Sequence, residues 1–195
     1  DLPVTKLREL AAYAIKNPKA LSYGTTGVGS GGHLKFEIYK SSTNISDAAL
    51  PPVHFAGVVP ELAALVGNHV QVAIMPLTSL ATQQIDAGAI RALAITSDNR
   101  SPFRRDIATV VEQGFPGLVA KDYLTIWVMN KTPESIVNRL AAAARRASED
   151  RDIRKAMEDL YFESEFLDGA GARKHFETRA AEFEPVIRRL NLKLQ

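Results

Sequence analysis

The chain has 195 residues, 46% of them hydrophobic, with 24 Lys plus Arg against 22 Asp plus Glu. That length allows one large domain or two small ones around a packed core. The basic residues are dispersed, with short pairs at Arg104-Arg105, Arg145-Arg146 and Arg188-Arg189, which argues against a nucleic-acid surface. Without cysteine there can be no disulfide, zinc–thiolate site or thiol nucleophile. No run approaches the ~18 apolar residues of a membrane span and no secretory leader is visible. The chain begins at Asp1 rather than Met, so a processed or trimmed N-terminus is expected.

In chain order, Leu7, Leu10, Ala11, Ala14 and Ile15 recur at helical spacing after Pro3, with Thr5 as the expected cap and Asn17-Pro18 as the stop. An extended segment from Leu21 then enters the loop of LSYGTTGVGSGGHL and a second helix over His33 to Tyr39. A strand-to-helix junction of this kind leaves helix N–H groups unpaired. With the hydroxyls of Thr25, Thr26 and Ser30 and the flexible Gly27, Gly29 and Gly32, it suits a carboxylate or phosphate. The same glycines spell G-x-G-x-x-G, the dinucleotide fingerprint. Against that reading, the strand is polar where it reaches the loop, and Asp47 comes too early to hold a ribose. A nucleophile elbow around Ser30 fails because Val28 would have to be glycine. A glycine-rich turn with no ligand is the remaining alternative. His33, in the first helical turn, can orient a ligand or serve as a surface or capping residue.

Pro51 to Ala56 predicts a short strand, with His54 among apolar neighbours read as a core or strand-edge histidine ahead of a ligand-contacting one. Gly57-Val58-Val59-Pro60 then opens a helix carrying Leu62, Ala63, Leu65 and Val66, closed by Gly67-Asn68. Val70 to Met75 predicts a buried strand, and Thr78 and Ser79 open a helix over Leu80 to Ala87. Ile90 to Thr96 predicts another strand and Thr109 to Gln113 a short helix. Val119 to Met129 predicts a long strand carrying Tyr123 and Trp127, read as core residues ahead of a ligand platform. Thr132-Pro133-Glu134 opens a helix with Ile136, Leu140 and Ala143 on its apolar stripe. A helix over Arg151 to Leu160, a strand over Phe162 to Leu167 and a helix over Gly171 to Leu190, interrupted near Pro185, complete the chain. Strands alternating with helices predict an α/β fold with a mainly parallel sheet. Ligands in such sheets sit beyond the carboxyl ends of the strands, where the Thr25–Ser30, Gly57 and Thr78-Ser79 loops would gather.

Several stretches together resemble the periplasmic solute receptors of the tripartite tricarboxylate transporter family, also called Bug-type receptors. They are PVTKLRELAAYAIKNP, YGTTGVGSGGHL, Gly57-x-x-Pro60, GAIRALAITSDNRSP, TVVEQGFPG, Thr132-Pro133 and the closing Leu-Asn-Leu. The resemblance implies a periplasmic, non-enzymatic, clamshell receptor that needs no cofactor and delivers a small carboxylate to permease subunits. The loop chemistry and the shared sheet edge give the expected ligand contacts as Thr25, Thr26, Gly27, Gly29, Ser30, His33, Gly57, Thr78 and Ser79. The resemblance also implies that this sequence is the second lobe of a type II periplasmic binding protein, residues 1–118, plus a crossover strand and C-terminal helices, residues 119–195. The surface left by a missing first lobe would favour homo-oligomers. The sequence departs from the family at His54-Phe55-Ala56-Gly57, where Pro-Tyr-Lys-Gly is usual. It also departs at Met75, where aspartate is common, and at Tyr123-Leu124-Thr125 in place of Trp-x-Gly.

Overall fold

The computed structural model describes residues 2–121, 123–163 and 165–192. Helix α1 (Leu7–Lys16) leads into strand β1 (Tyr23–Thr25), helix α2 (Gly31–Ser42), strand β2 (Pro52–His54) and helix α3 (Val58–Val66). Strand β3 (Val72–Ile74) and helix α4 (Ser79–Asp86) follow, and α5 (Glu134–Glu149), α6 (Arg151–Asp159) and α7 (Gly169–Arg189) are the last helices. The strands form one parallel sheet in the order β2-β1-β3, so the predicted α/β class with a parallel sheet and flanking helices is present.

Thr25 is the register partner of both His54 and Ile74, so the three strands end level. Their exit loops therefore leave from one edge. Successive residues of β1 face opposite sides of the sheet. Tyr23 stacks on Phe36 of α2, with ring centroids 4.1 Å apart. On the other face, a Cβ at Gly24 would lie 3.1 Å from Glu61 Cγ of α3 and 3.2 Å from the Phe55 ring. Glycine is thus required there by close packing rather than by a turn.

The chain divides into two compact units, residues 2–121 with 186–192, and residues 123–185. The first holds the hydrophobic core, built on Leu10, Ala14, Tyr23, Phe36, Tyr39, Leu50 and Val110. It also buries an ionic cluster. Glu37, 1% exposed, accepts hydrogen bonds from the Tyr23 hydroxyl at 2.6 Å, Lys40 Nζ at 2.7 Å and Arg189 Nη2 at 2.9 Å. Burial works against its charge, but these donors outweigh that effect and hold its carboxyl below the ordinary range. In the second unit no described residue is fully buried. The guanidinium of Arg145 over the Phe166 ring and the contacts of Tyr123 with His175 and of Trp127 with Phe176 are its main aromatic packing.

Several predicted elements differ from those observed. Lys6 rather than Thr5 caps α1, and Thr5 instead gives its N–H and hydroxyl to the Glu9 carboxylate at 2.7 and 2.9 Å. The strand expected over Ile90–Thr96 makes only an isolated parallel bridge, Ile95 to Thr109, because no neighbouring ladder extends it. Thr109–Gln113 forms a turn rather than a helix, ended by Gly114 at φ 85. No strand forms among the described residues of Val119–Met129 or Phe162–Leu167. Trp127, expected in the core, is 73% exposed, and Tyr123 is half-buried against His175. Finally, α7 runs through Pro185 without a break.

Candidate functional site

The loop between β1 and α2 owes its shape to two glycines. Gly27 has φ 143 and Gly29 has φ 73, conformations that side chains disfavour. Ser30 caps α2, its hydroxyl accepting the His33 N–H at 3.2 Å. A Cβ on Gly32 would come within 3.0 Å of the Ile74 carbonyl, so this glycine lets the N-terminus of α2 seat against the end of β3.

Much of the loop's polarity is spent internally. The Gly29 N–H donates to His33 Nδ1 at 3.0 Å, and the Ser30 N–H to the Gly27 carbonyl at 3.2 Å. Thr25, fully buried, brings its hydroxyl to 2.9 Å from His54 Nδ1 and accepts the Gly27 N–H at 3.4 Å. What remains for a ligand is the half-buried Thr26 and the amides of Gly31 and Gly32. These have no hydrogen-bond partner among the described residues.

His33 is 3% exposed, and accepting an amide at Nδ1 puts its proton on Nε2. Burial, and then the neighbouring His54, depress its pKa below the ordinary value of 6.5. It therefore braces the loop as a neutral ring instead of lying at the surface. Gly57, at φ 119, caps α3 just after β2. Thr78 caps α4, accepting the Ala81 N–H at 3.2 Å, and Ser79 begins that helix. Three helix N-termini thus follow three parallel strands on one edge, and each carries partial positive charge. The clefts lined by Arg145, Arg154 and Phe166 and by Ile136, Leu140 and Arg146 lie within the second unit and contain none of the predicted residues.

Asp47, weighed above as a ribose ligand, instead pairs with Lys40 at 2.8 Å. No group of three His, Cys, Asp or Glu side chains placed to hold a metal occurs among the described residues. Two site features were missed from sequence. His54 is exposed at the end of β2 and bonded to Thr25; aligning the two strand ends would have paired them. Glu61 is fully buried, and among the described residues both its carboxylate oxygens are unpartnered. The apolar stripe expected from Leu62, Ala63, Leu65 and Val66 is rotated, so that Glu61, Leu62 and Ala64 face inward and Val66 is 44% exposed.

A family model described as the tripartite tricarboxylate transporter family receptor matches residues 1–192. A UPF0065 protein of Bordetella pertussis is 32% identical over 148 residues, which cover 76% of this chain and 45% of that protein. Protein BugT of the same organism is 26% identical, covering 80% of this chain and 46% of BugT. An R. palustris structure solved with adipate superposes with a TM-score of 0.84 at 28% identity, covering 96% of this chain and 62% of that one. A structure described as a periplasmic transporter gives 0.85 at 27% identity, covering all of this chain and 64% of that one. The chain therefore spans a little under half the length of these two relatives. It belongs to the tripartite tricarboxylate transporter receptor family.

Proposed function

We propose that this chain carries one half of the binding cleft of a periplasmic receptor for a small carboxylate. In this reading it binds rather than transforms its ligand, and hands it to membrane permease subunits. The observation that carries the reading is the single edge on which three parallel strands deliver the N-termini of α2, α3 and α4. Thr26 and the Gly31 and Gly32 amides receive the carboxylate. Thr25, Gly27, Gly29, Ser30 and His33 hold the loop in shape, while Gly57, Thr78 and Ser79 line the neighbouring exits. The R. palustris relative solved with adipate supports the ligand class.

A full clamshell buries about 70–90% of a small ligand, so a single edge supplies only part of the contact. Charge-assisted hydrogen bonds of roughly 1.5–3 kcal/mol each must also offset the immobilisation of the ligand. Affinity on the order of millimolar follows for this chain by itself. Titrating it with adipate, succinate, citrate and NAD while following backbone amide resonances tests the reading. Shifts at residues 26–32 with the dicarboxylates are expected. Binding of NAD with no response to carboxylates would replace the reading with a dinucleotide one.

A further inference from the structure

His54 ends β2 on the ligand edge and is exposed. Its Nδ1 faces the Thr25 hydroxyl at 2.9 Å, and its ring meets the His33 ring edge-on with centroids 4.7 Å apart. Among the described residues nothing hydrogen-bonds its Nε2. The two histidines differ in what their surroundings permit. His33 Nδ1 accepts the Gly29 N–H, so a proton there would set two donors face to face and break the loop. For His54 no such conflict exists. A protonated Nδ1 can donate to Thr25 Oγ1, and the Thr25 hydroxyl can turn its own proton to the Gly27 carbonyl 3.3 Å away. The hydrogen bonds around Thr25 are thus complete with His54 either neutral or charged.

We propose that His54 is a further ligand-binding residue, which takes up a proton from solvent as a carboxylate docks and donates from Nε2 to one carboxylate oxygen. The inference rests on the carboxylate reading above. The groups acting on His54 are the Thr25 hydroxyl from β1 and the His33 ring and Glu37 carboxylate from α2. In the empty site burial holds its pKa below the ordinary 6.5, only partly offset by Glu37. An adjacent carboxylate opposes that and raises the pKa. By linkage, affinity then rises as pH falls from the bound-state pKa to the free-state one, and is level outside that window.

Histidine-labelled chain, titrated across pH by NMR with and without adipate in excess of a millimolar Kd, tests this directly. We expect the His54 midpoint to rise by about one pH unit with adipate, equivalent to a tenfold gain in affinity for the charged ring. The His33 ring should not titrate with it. In His54→Gln, the ratio of wild-type to variant affinity should fall toward one at alkaline pH and reach about tenfold at low pH, a comparison that cancels adipate's own ionisation. An unmoved His54 midpoint while the Gly31 and Gly32 amides shift would overturn the proposal and leave the carboxylate reading intact. If no loop amide responds to adipate at all, both fail together.

Discussion

Replacing Glu61 by glutamine should make the protein more stable at alkaline pH while removing a charge. Glu61 is fully buried in α3 beside Gly24 and Phe55, and neither carboxylate oxygen has a hydrogen-bond partner among the described residues. The Ile74 backbone lies near enough to temper its pKa without forming a hydrogen bond of normal geometry. Burial therefore dominates and pushes the carboxyl from an ordinary 4.5 up to about 7. A carboxyl raised on folding contributes no penalty below its unfolded pKa and loses stability as pH rises through the folded one. The gap between 4.5 and about 7, at roughly 1.4 kcal/mol per tenfold, amounts to about 3 kcal/mol, fully expressed above neutrality. Urea unfolding of wild type and Glu61→Gln at about pH 5 and pH 8 should show the wild type losing about 2–3 kcal/mol more than the variant, or about 1 M in midpoint at ordinary slopes. Other titrating groups contribute equally to both proteins and cancel. If the two lose stability in parallel, Glu61 is not a neutral buried acid and the reasoning fails.

Glu37→Ala should cost about 3–5 kcal/mol in urea unfolding, because among the described residues it leaves Lys40, 1% exposed, with the exposed Asp47 as its remaining ionic partner. Ser30→Ala removes the cap of α2 and should lower stability by about 1 kcal/mol; no change would mean that the His33 N–H finds another partner. Leu124, Ile126, Trp127 and Met129, between 72% and 81% exposed in a unit where no described residue is buried, should drive self-association. Light scattering should show species larger than the monomer, and Trp127→Ser with Met129→Ser should reduce them. A monodisperse wild-type monomer would refute that expectation.

The elements legible in the sequence were those whose signal is local. The strand–loop–helix around Gly27 and Gly29, the helix opened by Thr78 and Ser79 and the helix opened at Thr132-Pro133 all rest on residues within one turn of each other. The unreadable part was whatever depends on a neighbour. Ile90–Thr96 and Val119–Met129 have the apolar, β-branched composition of strands, yet a strand exists only where another accepts its ladder. The rotation of α3 that buries Glu61 is set by packing under Gly24, which no periodicity reveals. In the loop after β1, the glycine and hydroxyl content announced a strand end that opens a helix, but which amides stay open was decided by His33 folding back onto Gly29.

The bond from Arg189 to Glu37 spans 152 positions, and this sets an order of events in synthesis. When the ribosome has released the sheet and α1 to α4, Glu37, Tyr23 and Lys40 are already present, but the second cation of the buried carboxylate is not. Closing so long a loop carries an entropic cost that local contacts do not recover, and folds rich in such contacts form slowly. The first unit therefore reaches its final polar core only after Arg189 has emerged, and a nascent chain stalled before α7 should be held in an expandable, protease-sensitive state.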